Sequence, residues 1–191
     1  MTLTKFMKTI IKSIAVIFLM AMFFSCGNNT KEIRDFLADK NLPIGIATDI
    51  NNIYTDSGRV TSKLQAPLLY NYSNRENHPY SEFPNGVRIV TIDKNNDSIV
   101  VTGNYAIIYS KTSISEIRDN VIINNYLEHK KLVTEQLFWD QKTKYFYTEM
   151  AFTLYTLTDT IHGIGLDASE NLEMFIAKNN RGSIYLNEND K

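Results

Sequence analysis

After Pro43 the chain alternates apolar and polar side chains with a period of two. Val60, Leu64, Ala66, Leu68, Tyr70 and Tyr72 share one parity, interrupted only by Ser62. Ile99, Val101, Gly103, Tyr105, Ile107 and Tyr109 repeat the pattern, as do Val121 with Ile123, Tyr145 with Tyr147, and Phe152 with Leu154. Successive side chains of a strand point to opposite faces, so rows like these, rich in β-branched and aromatic residues, predict half-buried strands. Turn-forming clusters separate the rows: Asp56-Ser57-Gly58, Pro84-Asn85-Gly86, Lys94 to Asp97, Asp140-Gln141-Lys142 and Asn179-Asn180-Arg181-Gly182. Their spacing is that of a meander of hairpins. No helical period runs for about a dozen residues anywhere beyond Pro43. The expectation is an all-β domain over residues 43–186, with about ten to fourteen antiparallel strands and no internal boundary.

One internal echo adds to this. Tyr54-x-x-x-Gly58 leads to Leu64-x-Ala66-x-x-Leu69, and Tyr126-Leu127 leads to Leu132-x-Thr134-x-x-Leu137. Each reads as strand, turn and strand, with inward positions at i and i+5. That suits an elongated fold made by stacking similar hairpins.

The N-terminus has a different texture. Lys5, Lys8 and Lys12 are the only charges before a short apolar run, Ile14 to Phe24, which closes on Ser25-Cys26-Gly27. A membrane-spanning helix needs about 20 apolar residues, and this run falls short. A positive flank, a short apolar core and a small residue before a break form a secretory signal. Cys26 directly after Ser25 is where bacterial lipoprotein signals place the acylated cysteine, although Phe23 and Phe24 stand where Leu and a small residue are usual. An uncleaved short anchor and an ordinary secretory signal remain the other readings. Residues 1–25 are therefore expected to be a signal peptide or anchor, 26–42 a tether, and 187–191 a polar tail. Within the tether, Ile33, Phe36 and Leu37 have the spacing of a short amphipathic helix.

Composition narrows the function. The net charge is −1, with 20 basic and 21 acidic residues dispersed along the chain, so no basic field exists to hold nucleic acid. One cysteine excludes a disulfide framework and a multi-cysteine metal site. His78, His129 and His162 stand far apart, no Gly-x-Ser-x-Gly elbow occurs, and His162-Gly163-Ile164-Gly165 lacks the third glycine of a dinucleotide loop. Glu82, Glu135, Asp140, Glu149 and Asp167 form no recognisable catalytic pair. Neither an enzyme nor a cofactor is expected.

Four segments in order carry a family resemblance: Ile53-Tyr54-Thr55-Asp56-Ser57-Gly58-Arg59-Val60 running into Leu64-Gln65-Ala66-Pro67-Leu68; Pro79-Tyr80-Ser81-Glu82-Phe83-Pro84-Asn85-Gly86; Thr134-Glu135-Gln136-Leu137-Phe138-Trp139-Asp140; and His162-Gly163-Ile164-Gly165-Leu166-Asp167-Ala168. Together, over about residues 45–180, they resemble the LptC family of lipopolysaccharide export. The resemblance implies an open antiparallel β-jellyroll of the OstA-like, twisted-boat kind, with lipopolysaccharide acyl chains in an apolar groove between two sheets. It also implies two protein partners. These are the periplasmic domains of the inner-membrane transporter (LptF–LptG type) and an LptA-like bridge, with the chain held at the periplasmic face of the inner membrane by its N-terminus. The better-known members keep a transmembrane helix where this chain has a short run ending at Cys26.

Leu64, Leu68, Tyr105, Ile107, Val121 and Phe152, taken from the apolar rows, are the expected groove residues. Ser183-Ile184-Tyr185-Leu186 contains no Lys or Pro of the kind that usually blunts a free edge, and the polar tail beyond it has little β propensity. Ile184, Tyr185 and Leu186 are therefore expected to form a partner-binding edge. The competing functional reading is a structural or adhesive envelope lipoprotein with a packed β domain and no lipid groove. A sorting carrier of the half-barrel type would need a lid helix, which the pattern lacks.

If Cys26 is the lipidation site, Cys26→Ala should leave an unprocessed precursor and abolish incorporation of a palmitate analogue. An intact mass corresponding to an unmodified chain starting at Met1 would instead establish the uncleaved anchor.

Overall fold

The computed structural model describes Met7, residues 30–93 and residues 96–181. Two compact units, Met1–Phe36 and Leu37–Lys191, divide the chain. Helix α1 (Thr30–Asp39) crosses that division, and among the described residues no helix is long and apolar enough to span a membrane. At the C-terminal end of α1, Arg75 donates to the Ala38 carbonyl at 2.9 Å and to Asn41 Oδ1 at 2.7 Å. A cation there satisfies terminal carbonyls that no further helical turn can reach.

The described strands of the second unit all pair antiparallel. Its eleven described strands are β1 (Gly45–Asp56), β2 (Arg59–Tyr72), β3 (Tyr80–Phe83), β4 (Val87–Ile92), β5 (Ser98–Gly103), β6 (Tyr105–Tyr109), β7 (Ile114–Asn125), β8 (Lys130–Asp140), β9 (Tyr145–Tyr155), β10 (Thr160–Ser169) and β11 (Phe175–Arg181). Strand β2 pairs with β4 through residues 62–65 and with β3 through 70–72. Strand β7 pairs with β6 through 114–118 and with β5 through 122–125. Thus β3 and β4 are two halves of one broken strand, and β5 and β6 two halves of the next. With those breaks joined, the order is an uninterrupted meander of hairpins from β1 to β11, as the turn spacing predicts.

A line of irregularities crosses the meander from β1 to β10 near mid-strand. It passes through Asp49 and Pro67, Pro84 to Gly86, Asn104, the Asp119-Asn120 bulge, Glu135, Glu149-Met150 and Gly165. Residue types at this line fit their geometry. Asp49, Asp119 and Asn120 have φ of 53°, 60° and 53°, a left-handed region that short Asx side chains tolerate. Gly86 has φ of 92°, and a Cβ there would lie 3.0 Å from the Gly103 carbonyl. Backbone groups freed by the breaks are satisfied locally: the Asn104 N–H donates to the carbonyls of Arg118 and Asp119, and Thr134 Oγ1 donates to the Ala151 carbonyl.

On alternate strands the irregularity flips side-chain parity, whereas β7 (Ile117, Val121) and β9 (Thr148, Phe152) keep theirs. On β2 the buried Leu64 and Ala66 before the break are followed by the half-buried Leu69, packed against the core, after it; on β8 the buried residues are Leu132 and Thr134, then Leu137 and Trp139. Both half-sheets therefore turn their apolar faces to one core. Val101, Val121, Ile123, Leu132 and Leu154 belong to one half, and Ile117, Leu137, Phe146, Leu166 and Leu172 to the other.

Two expectations change. Asn179 to Arg181, read above as a turn, are strand β11, paired with Ile164, Gly163 and His162. Partner donors and acceptors on β10 override the weak β propensity of asparagine. The row from Ile99 to Tyr109, read as one face, is divided at Asn104, so Ala106 is buried in the core while Tyr105 and Ile107 lie on the opposite face.

Gly163 packs beneath Phe152: a Cβ there would come within 2.6 Å of the ring and 2.8 Å of the Asn179 carbonyl. Gly163→Ala should destabilise the domain by about 1–3 kcal/mol in urea unfolding, as overpacked cores do. Combining it with Phe152→Leu should recover part of that loss.

Candidate functional site

The hairpin tips of both half-sheets gather around a cavity of about 1140 Å³. Its floor is apolar and comes from both halves: Leu64, Ile89 and Ile99 from one, Ile108 and Trp139 from the other. Turns supply the rim, including Asp56 and Arg59 after β1, Asp97 before β5, and Lys144, Glu170 and Glu173 across the opening. Hairpin turns are polar because their backbone must meet water, whereas the strands leading to them keep the inward apolar parity. The result is an amphipathic opening with hydrocarbon-compatible walls below and charge above. At the rim Lys144 lies 3.5 Å from Glu170.

Of the groove residues expected from the sequence, Leu64 lines this cavity. Val121 and Phe152 are buried on the same inner face, within the core. Leu68, Tyr105 and Ile107 are only half-buried and belong to the outer face, beyond the mid-strand flip. Ile99 stands in one of the alternating rows read from the sequence, whereas Ile89 belongs to none of them. Ile108 was not legible, because nothing in the alternation marks Asn104 as a break; Trp139 stands two residues after Leu137, on the inward parity of the i and i+5 echo. Cys26, Ile184, Tyr185 and Leu186 lie outside the described residues. The outermost described strands, β1 and β11, each pair on one side only among the described residues.

The outer face of one half-sheet carries its own structure. Tyr70, Glu82, Ile107, Glu116, Phe138, Tyr147 and Asp167 succeed one another as cross-strand partners. Phe138 stacks on Tyr147 with centroids 5.1 Å apart, and Tyr72 stacks on Tyr80 at 4.7 Å. Among these rings sits Glu116, buried, accepting from Arg118 Nε at 2.6 Å and Gln136 Nε2 at 2.5 Å. The Arg118 hydrogen bond, opposed by burial and aided by Gln136, holds the Glu116 carboxyl below its ordinary pKa. Tyr105 donates to Glu82 at 2.7 Å, and burial together with that bond raises its phenol pKa. These paired groups stiffen the face. Among the described residues, no group of His, Cys, Asp or Glu is arranged to hold a metal.

The family model described as lipopolysaccharide-assembly, LptC-related, matches residues 14–184. No curated protein matches the chain.

Glu116 gives a pH prediction. Its folded-state pKa is depressed, so its charge contributes stability that is complete above the ordinary carboxylate value of 4.5 and is lost as the pH falls through the lower folded value. Glu116→Gln should flatten that part of the acid limb when urea midpoints are compared between about pH 7 and about pH 3.

Proposed function

Since the chain belongs to the LptC family, and with it to lipopolysaccharide transport, we propose that it is a non-catalytic station that receives lipopolysaccharide from the inner-membrane transporter and passes it to a periplasmic bridge protein. The observation that carries this reading is the cavity at the hairpin tips, with its apolar floor and polar rim. An acyl chain exposed to water costs about 0.8 kcal/mol per methylene, so a multi-chain lipid in transit needs an apolar trough with an opening for its sugar. In this reading Leu64, Ile89 and Ile99 meet the chains, Val121 and Phe152 form the wall behind them, and the turns flank the head group.

The chain is anchored at the periplasmic face of the inner membrane through Cys26 or an uncleaved N-terminal segment. Strand edges at the two ends of the meander pair with the neighbouring machinery: the N-terminal edge with the transporter's periplasmic domains, and the C-terminal segment around Ile184, Tyr185 and Leu186 with the bridge. An unpaired edge offers backbone donors and acceptors to an incoming strand, and joining like domains edge to edge would set their troughs in line.

A photo-crosslinking residue at Leu64 or Ile99 should trap lipopolysaccharide in cells, whereas one at Ile107, on the outer face, should not. Equal trapping at both faces would overturn the groove assignment. Trapping at neither would favour a packed envelope lipoprotein.

A further inference from the structure

Trp139 lines the cavity floor, is 5% exposed, and stands one residue before the end of β8, just inside the polar rim. Its indole Nε1–H is buried and has no acceptor among the described residues. Polar groups around it are already engaged. Gln141 Nε2 donates to Ser115 Oγ at 2.9 Å, and Ser115 is the cross-strand partner of Trp139. Asn125 donates to the Asn171 carbonyl and accepts from the Glu128 N–H, and Ser169 donates to Asn171 Oδ1. A buried donor left without an acceptor costs about 1–3 kcal/mol, so an isolated one on a residue that lines a cavity this large calls for a ligand atom.

Its chemistry restricts that atom. A single neutral donor beside aliphatic side chains suits a neutral acceptor; a phosphate would draw on several donors or a cation. Its depth, between charged rim and apolar floor, is where the linkage between a polar head and its hydrocarbon chains would lie. We propose that Trp139 is a ligand-binding residue whose indole N–H donates to the carbonyl oxygen of an ester- or amide-linked acyl chain, fixing how deep the lipid seats. This inference rests on the lipid reading of the cavity.

Trp139 is the only tryptophan in the chain, so its signals are unambiguous. In the whole wild-type protein labelled with nitrogen-15, adding lipid A should move the single indole N–H resonance downfield and slow its exchange with solvent. In Trp139→Phe, which keeps a ring facing Phe146, the affinity of the hydrocarbon probe N-phenyl-1-naphthylamine is measured first, so that each lipid A displacement concentration is corrected for probe affinity. The corrected lipid A concentration should rise about tenfold, the worth of one hydrogen bond. Displacement in wild type with an unmoved indole resonance, or at an unchanged concentration in Trp139→Phe, would overturn the inference alone. Failure of lipid A to displace the probe from either protein would overturn the lipid reading of the cavity and this inference with it.

Discussion

A strand that bends around a core needs an irregular step at the bend, and where that step spans an odd interval the inward side chains change parity. In this domain β2, β8 and β10 change parity near their middles, as the broken β5–β6 strand does at Asn104, while β7 and β9 pass the same line with their inward parity kept. An extra residue, a left-handed Asx or a glycine absorbs the change, and nearby carbonyls and hydroxyls take up the released backbone groups. The single core, the cavity and the two outer faces all follow from it. Without the flips at Pro67, Asn104 and Glu135, Leu69, Ala106 and Leu137 would face outward and one half-sheet would lose much of its apolar interior.

The same constraint locates the opening. Because each strand bends near its middle, alternate hairpin turns from the two half-sheets meet at one mouth, and the strand ends beneath them bring Leu64 and Trp139 into one cavity. Polar turns over apolar strand ends are what any β meander produces. Here the bend superimposes them, giving an amphipathic opening without a dedicated lid. The outer face formed by the flip is stiffened by aromatic stacking and by the Glu116–Arg118–Gln136 bonds, so the wall behind the core is rigid where it is not apolar.

The meander itself was legible, because alternation and turn residues are local. Asp56-Ser57-Gly58, Pro84-Asn85-Gly86 and Asp140-Gln141-Lys142 all separate strands as their chemistry requires. The i and i+5 spacing of Leu64 with Leu69 and Leu132 with Leu137 was already the mark of the bend, since an odd interval between two inward positions demands one irregular step. At residues 99–109 the same flip left no such mark: Tyr105, Ile107 and Tyr109 are as apolar as Ala106 and Ile108, so either parity looked like an inner row.

By itself, the sequence determined the class of fold, its hairpin order and the family to which it belongs, because periodicity, turn composition and ordered motifs are properties of neighbouring residues. Only the tertiary structure decided which parity faces inward beyond Asn104, that Asn179 to Arg181 extend a strand, and that the residue lining the cavity beside the rim carries a buried, unpartnered indole donor. Those outcomes depend on cross-strand partners up to tens of residues away. For Asn179 the deciding fact is the row of donors and acceptors on β10, and for Ile108 and Trp139 it is the flip that turns both toward the same space.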